Sequence, residues 1–257
     1  MHRLCLVAMG GMLMAVSAQG QLDLKLRLEH AAVLTHEPIL AHVTIHNTGI
    51  QPVTLNAPDG TGVQLRFYIE RDNGDSVATR RGAPRPGRVV VPVGGTQTVS
   101  ADLTMLCAMQ KTGRYFVRGL VSGGRADSRS RLQMVDVVPG LELTKVSGAV
   151  PGAPGVRRTF ALRYWARERK EQLFLCVSDE PRGRIFAPVA LGAVIRVVRP
   201  TLTMDHAGTV TVSHQINRAQ MMISNVRSAA TRLTLESQRT VRIQSLPKRK
   251  PATLPSK

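Results

Sequence analysis

The chain has 257 residues, enough for one large or two ordinary domains of roughly 100–200 residues each. Hydrophobic residues make up 43%, which can fill a core, while a mean hydropathy of −0.05 excludes a polytopic membrane protein. Lys and Arg number 35 (28 of them Arg) against 17 Asp and Glu, for a net charge of +18; three cysteines exclude a disulfide-dense scaffold, and one Trp, three Tyr and five Phe leave little for a base-stacking surface.

The N-terminus reads as a secretory leader over residues 1–18. His2 and Arg3 are followed by the uncharged run Leu4 to Ala15, and Val16-Ser17-Ala18 places small or β-branched residues at the peptidase positions. Cys5 lies before the apolar run, so lipidation does not fit. No later run reaches the ~18 apolar residues that span a bilayer; the longest, Ile185 to Val198, contains Pro188 and Arg196. The expected location is therefore periplasmic or secreted, with no membrane span after leader removal. There Cys107 and Cys176 could pair, but their strand phases favour two free, buried thiols.

From Leu22 onward the hydrophobic period is two. In LDLKLRLE the four leucines face one way and the charged residues the other. Ile39–Thr48 and Val63–Glu70 repeat the alternation, with turn signals at Asn47-Thr48-Gly49, Asp59-Gly60 and Asp72–Asp75. Further strands are expected over Arg88–Val93, Thr96–Met105, Arg114–Ser122 and Arg131–Val138. Short strands at this spacing predict an antiparallel β-sandwich over residues 19–138. Pro139-Gly140 marks a boundary, followed by a loop-rich stretch through Gly148, Pro151-Gly152 and Pro154-Gly155. A second antiparallel module is expected over residues 139–246, as one meander. Its strands are Thr159–Ala166, Gln172–Ser178, Ala193–Arg199 and Thr209–Ile216, completed by Met221–Val226 and Arg232–Leu235. Residues 247–257 read as a basic, Pro-rich, disordered tail. No helix is firmly expected, although Leu103–Gln110 could hold one helical turn.

Glu37-Pro38-Ile39, the β run ending at Asn47-Thr48-Gly49, and Pro52-Val53-Thr54-Leu55 resemble the opening strands of bacterial immunoglobulin-like and macroglobulin-like secreted domains. The stretch from Asp102-Leu103 to Lys111-Thr112-Gly113-Arg114-Tyr115 is similar to the segment before their penultimate strand. The resemblance covers about residues 22–138. It implies that Tyr115 is a tyrosine-corner residue, hydroxyl bonded to backbone a few residues upstream, and that Val117 replaces the cysteine of antibody domains. It implies a fold and no particular activity.

Motifs for catalysis are missing: no G-x-S-x-G, H-E-x-x-H, P-loop or G-x-G-x-x-G occurs in a suitable context. His42 and His46 share a strand face but stand ~13 Å apart, too far for one metal. No cofactor or metal is expected. Charge is the remaining signal. Arg80, Arg81 and Arg85 lie in a Gly/Pro-rich loop, Arg125 and Arg129 follow Gly123-Gly124, and Arg157 and Arg158 open the second module. If these loops converged, their guanidiniums could grip phosphate or carboxylate groups. The expectation is a non-catalytic binding, adhesion or cell-envelope scaffold module. Its partner would be a protein or envelope polymer, with non-specific association to anionic surfaces. Two alternatives stay open: an anionic-polymer binder (polysaccharide or nucleic acid) acting through the Arg-rich loops, and a hydrolase with an inter-module site using His214.

Overall fold

The computed structural model describes residues 22–59, 62–123, 127–150, 152–181 and 183–243, so the leader and the basic tail lie outside the described residues. The fold is all-β, with 63% strand and 2% helix among the described residues. In chain order the first elements are β1 (Leu22–Leu28), β2 (Ala32–Leu34), β3 (Leu40–Asn47), β4 (Val53–Leu55), β5 (Gln64–Arg71), β6 (Val89–Val91) and β7 (Thr96–Asp102). A single helical turn, α1 (Leu103–Leu106), precedes β8 (Gly113–Ser122), β9 (Ser128–Arg129) and β10 (Gln133–Val138). Then follow β11 (Leu141–Val150), β12 (Ala153–Arg167), β13 (Lys170–Glu180), β14 (Val189–Ala193), β15 (Thr201–Met204), β16 (Thr209–Asn217), β17 (Gln220–Ser228) and β18 (Leu233–Arg242).

The first core lies between the sheet β1-β3-β7 and the sheet β2-β10-β8-β5, with β9 beside β8. Alternation decides the packing. Leu22, Leu24, Leu26, Val43, Ile45 and Val99 from one sheet meet Leu65, Ile69, Val117, Val121 and Val135 from the other. β2 pairs in parallel with β10 and every other pairing of the two sheets is antiparallel. The contact implied for Tyr115 is present: its hydroxyl donates to the Lys111 carbonyl at 2.6 Å, and its ring is buried.

Four expectations need correction. The strand expected over Thr96–Met105 stops at Asp102, whose carboxylate accepts from the Thr104 amide at 2.9 Å and caps α1, leaving Met105 exposed. The stretch after Gly140 expected to be loop-rich is β11, which pairs with β12 along its length. The single meander is two four-stranded sheets, β11-β12-β13-β14 and β15-β16-β17-β18. The strand expected over Ala193–Arg199 lies earlier, at β14, and β15 adds a strand beyond the expected set. Phe160, Leu162, Leu173, Leu175 and Val177 face Val210, Val212 and Val226 across this second core. The Met204 side chain fills the space beside Gly148, where a Cβ would lie 1.8 Å from its Cε.

The two halves meet at the β2 loop. Glu37 accepts the Leu34 amide at 2.8 Å and pairs with Arg167, both side chains being largely buried. Arg163 donates to the Pro139 carbonyl at 3.0 Å. Gly140 turns the chain here with φ of +67°, and a Cβ would meet Leu34 Cδ2 at 2.8 Å.

Candidate anion-binding face

The site residues expected from the sequence are only partly brought together. Arg158 is the clearest correction. It shares the inward phase of Val156, Phe160 and Leu162 on β12 and is 1% exposed. Its guanidinium grips Asp179 through two bonds of 2.5 and 2.8 Å and donates to Ser228 Oγ and the Ala229 and Ala230 carbonyls. The Phe186 ring covers it at 4.4 Å. Arg158 is thus a structural residue and unable to receive a ligand. Arg157 points the other way, into solvent, on a sheet apart from the remaining candidates. Arg81 is exposed and lines none of the hollows described below. Arg125 lies outside the described residues.

Arg80, Arg85 and Arg129 do come together, around a residue that loop-based reasoning missed. Arg66 lies on the outer face of β5 and borders three adjoining hollows. Arg80 and Arg85 line one of about 470 Å³, and Arg129 lines one of about 490 Å³. Arg80 is partly spent, because its Nε donates to the Thr104 and Cys107 carbonyls at 2.8 and 3.2 Å.

Register places the charges. Arg66 stands opposite Leu120 on β8, and Leu120 stands opposite Arg129 on β9. Directly opposed residues share a face, so Arg66 and Arg129 flank Leu120 about 10 Å apart. Arg118, two residues before Leu120, joins the same outward phase and is a diagonal neighbour of Arg66, about 7–8 Å away. Tyr68, opposite Arg118, and Phe116 extend the face with aromatic surface. Beneath, Ser128 donates to the Leu22 carbonyl at 2.7 Å and Ser130 Oγ accepts the Gly119 amide at 3.0 Å, which pins β9 in place.

None of Arg66, Arg85, Arg118 and Arg129 forms an ion pair among the described residues, and Arg118 Nε is buried without a partner. The neighbouring acids offset part of the charge of the face without forming ion pairs with it. Glu70 accepts the Tyr68 hydroxyl at 3.1 Å, Asp136 is held by Arg114, and Asp127 lines the Arg129 hollow without an ion pair. Like charges about 8 Å apart in water repel by about 0.5 kcal/mol per pair, which an anion bound between them converts to attraction. The available sequence signal was one outward Arg in QLRFYIER, Arg66, and two in GRYFVRGLVS, Arg114 and Arg118.

The hydrolase alternative required His214 in an open cleft beside an acid. His214 is fully buried, and no side chain hydrogen-bonds either ring nitrogen. Burial holds its imidazole below the usual range, with the Ala193 backbone pulling weakly the other way. The cleft between the halves, about 220 Å³, is lined instead by His36, Glu142, Arg163 and Cys176 among others. Burial pushes the Cys176 thiol up to about 11, and burial with the Arg163 charge lowers His36. At neutral pH this leaves a protonated thiol, a poor nucleophile. Cys107 and Cys176 are both free.

No family model matches the chain, and no curated protein does. Among solved structures, the alkylpurine DNA glycosylase AlkC of Pseudomonas fluorescens, bound to DNA containing an abasic site analog, aligns at a TM-score of 0.33 and 17% identity. The alignment covers 46% of this chain and 30% of that one, so the chain spans under a third of the glycosylase's length. The sporulation control protein Spo0M of Bacillus subtilis aligns at a TM-score of 0.29 and 12% identity, over 67% of this chain and 91% of that one. Likeness at this level fixes neither a fold family nor an activity.

Proposed function

We propose that the chain is a secreted or periplasmic, non-catalytic binding module with an immunoglobulin-like first half, and that it takes an acidic polysaccharide on the outer face of β5, β8 and β9. The observation that carries this reading is the row Arg66–Leu120–Arg129 with Arg118 beside it: guanidiniums on one pleated face, free of ion pairs, next to Tyr68 and Phe116. Fixed forks suit carboxylate or sulfate groups, and flanking aromatic rings suit the apolar faces of sugars. The extracytoplasmic placement rests on the leader, and the immunoglobulin-like assignment on the opening strands and Tyr115.

Retention on immobilised heparin and polygalacturonate tests it. Arg66→Glu/Arg129→Glu should elute at well under half the salt needed for the unaltered protein. The charge-matched control Arg157→Glu/Arg218→Glu, on exposed residues of the other half, should lose little. Equal losses in the two variants would reduce the binding to net charge and remove the site.

A further inference from the structure

We propose that β5 carries a slot for a second kind of ligand, a short acidic peptide that adds to the sheet edge as an extended strand. β5 is the last strand of its sheet, and its odd-numbered residues turn their backbone groups away from β8. At one end this edge is closed: Asn56 N donates to the Val63 carbonyl at 2.8 Å, and Leu65 N donates to Asn56 Oδ1 at 2.9 Å. At the other end Val77 N donates to the Ile69 carbonyl and Arg71 N to the Asp75 carbonyl, both at 2.9 Å. Between these closures the Leu65 C=O, the Phe67 N–H and C=O, and the Ile69 N–H have no edge partner among the described residues.

The chain that could have covered them turns aside. After Val77 it pairs with the end of α1 and the residues that follow: Arg80 N donates to the Leu106 carbonyl at 2.7 Å and Ala108 N to the Ala78 carbonyl at 3.2 Å. The far wall of the resulting hollow includes Pro84 and Pro86, which have no N–H to offer β5. Asn56 Nδ2 ties that wall down at the Gly87 carbonyl, 3.3 Å away. The hollow of about 470 Å³ therefore lies against the open stretch of edge. From Leu65 to Ile69 the edge runs about 13 Å, the length of a strand segment of three to five residues. Unpaired groups flanked by paired ones form a template for strand addition.

Side chains of an added strand would alternate between two environments. One set would meet Phe67, Leu106 and Cys107, which are apolar and largely buried. The other would lie beside Arg66 and Arg85, which lack ion pairs and call for carboxylates. The occupant is accordingly an extended peptide with acidic residues alternating with small apolar ones. This site is separate from the polysaccharide face, although Arg66 borders both.

The probe is acetyl-Glu-Val-Glu-Val-Glu-amide added to the full chain, followed by amide hydrogen exchange and chemical shifts. In the free protein the Phe67 amide should exchange quickly, and millimolar peptide should slow it by about tenfold or more, with shifts concentrated at residues 65–69. A version N-methylated at the two valines should bind at least about tenfold more weakly, and Arg85→Glu should weaken the parent peptide several-fold. Polygalacturonate should leave Phe67 exchange unchanged, so failure of this inference and failure of the polysaccharide reading are separately visible. A Phe67 amide already protected in the free protein, or one unaffected by the peptide, would overturn the proposal. So would equal binding of the N-methylated version.

Discussion

Arg158 offers the sharpest test of the packing argument. Replacing Asp179 by Leu leaves a guanidinium at 1% exposure with only Ser228 Oγ, two carbonyls and the Phe186 ring around it. Replacing Arg158 by Met leaves the carboxylate of Asp179, itself 4% exposed, without its two donors. Breaking a buried pair from one side costs about 3–5 kcal/mol, whereas replacing both partners with apolar groups of similar size is often neutral or stabilising. With a urea m-value of about 1.5 kcal/mol/M, each single variant should unfold at a midpoint about 2–3 M lower. The double variant Arg158→Met/Asp179→Leu should recover most of that loss. Trp165, the one tryptophan, lies on β12 in the same sheet, so its fluorescence follows the right transition. A double variant as unstable as the single ones, or single variants within about 0.5 M of the parent, would refute the assignment of Arg158 to the core.

Two smaller predictions follow from buried polar groups in each half. His214 has a lowered pKa from burial, so the unfolded chain binds its proton first as pH falls through 6.5, and stability drops by up to about 1.4 kcal/mol per pH unit until the folded imidazole also titrates. The melting-temperature gap between His214→Leu and the parent should therefore shift in the variant's favour on acidification, and a constant gap would contradict a neutral, closed His214. Tyr115→Phe removes the donor to Lys111 and should cost about 1 kcal/mol in calorimetric unfolding of the first half, with Trp165 fluorescence unaffected. No loss would mean that the hydroxyl contact contributes nothing to the corner.

Legibility varied with the distance over which each feature is decided. The alternation in LDLKLRLE could be read directly because inward and outward phases are set within one strand, and Leu22, Leu24 and Leu26 are buried as expected. Arg157-Arg158 looked like one basic pair, yet the same rule separates its members, and the neighbouring Val156 and Phe160 already marked Arg158 as inward. β11 was hidden because Gly148 and the Pro-Gly pairs near it read as loop; its partner β12 satisfies its backbone and Met204 occupies the room a side chain would need. Asp102 ended the strand before it by capping α1, a local signal that the hydrophobic phase of Leu103 concealed.

By itself the sequence determined that this chain folds as strands and which side of most strands faces a core, because alternation and turn residues act between near neighbours. Only the tertiary structure decided that Arg66, Arg118 and Arg129 share one face and that the edge of β5 stays open between Leu65 and Ile69. Those outcomes depend on register between strands up to dozens of residues apart and on where the chain after Val77 finds its partner. Pairings of that kind are selected by the burial of a whole core, which no short window of residues contains.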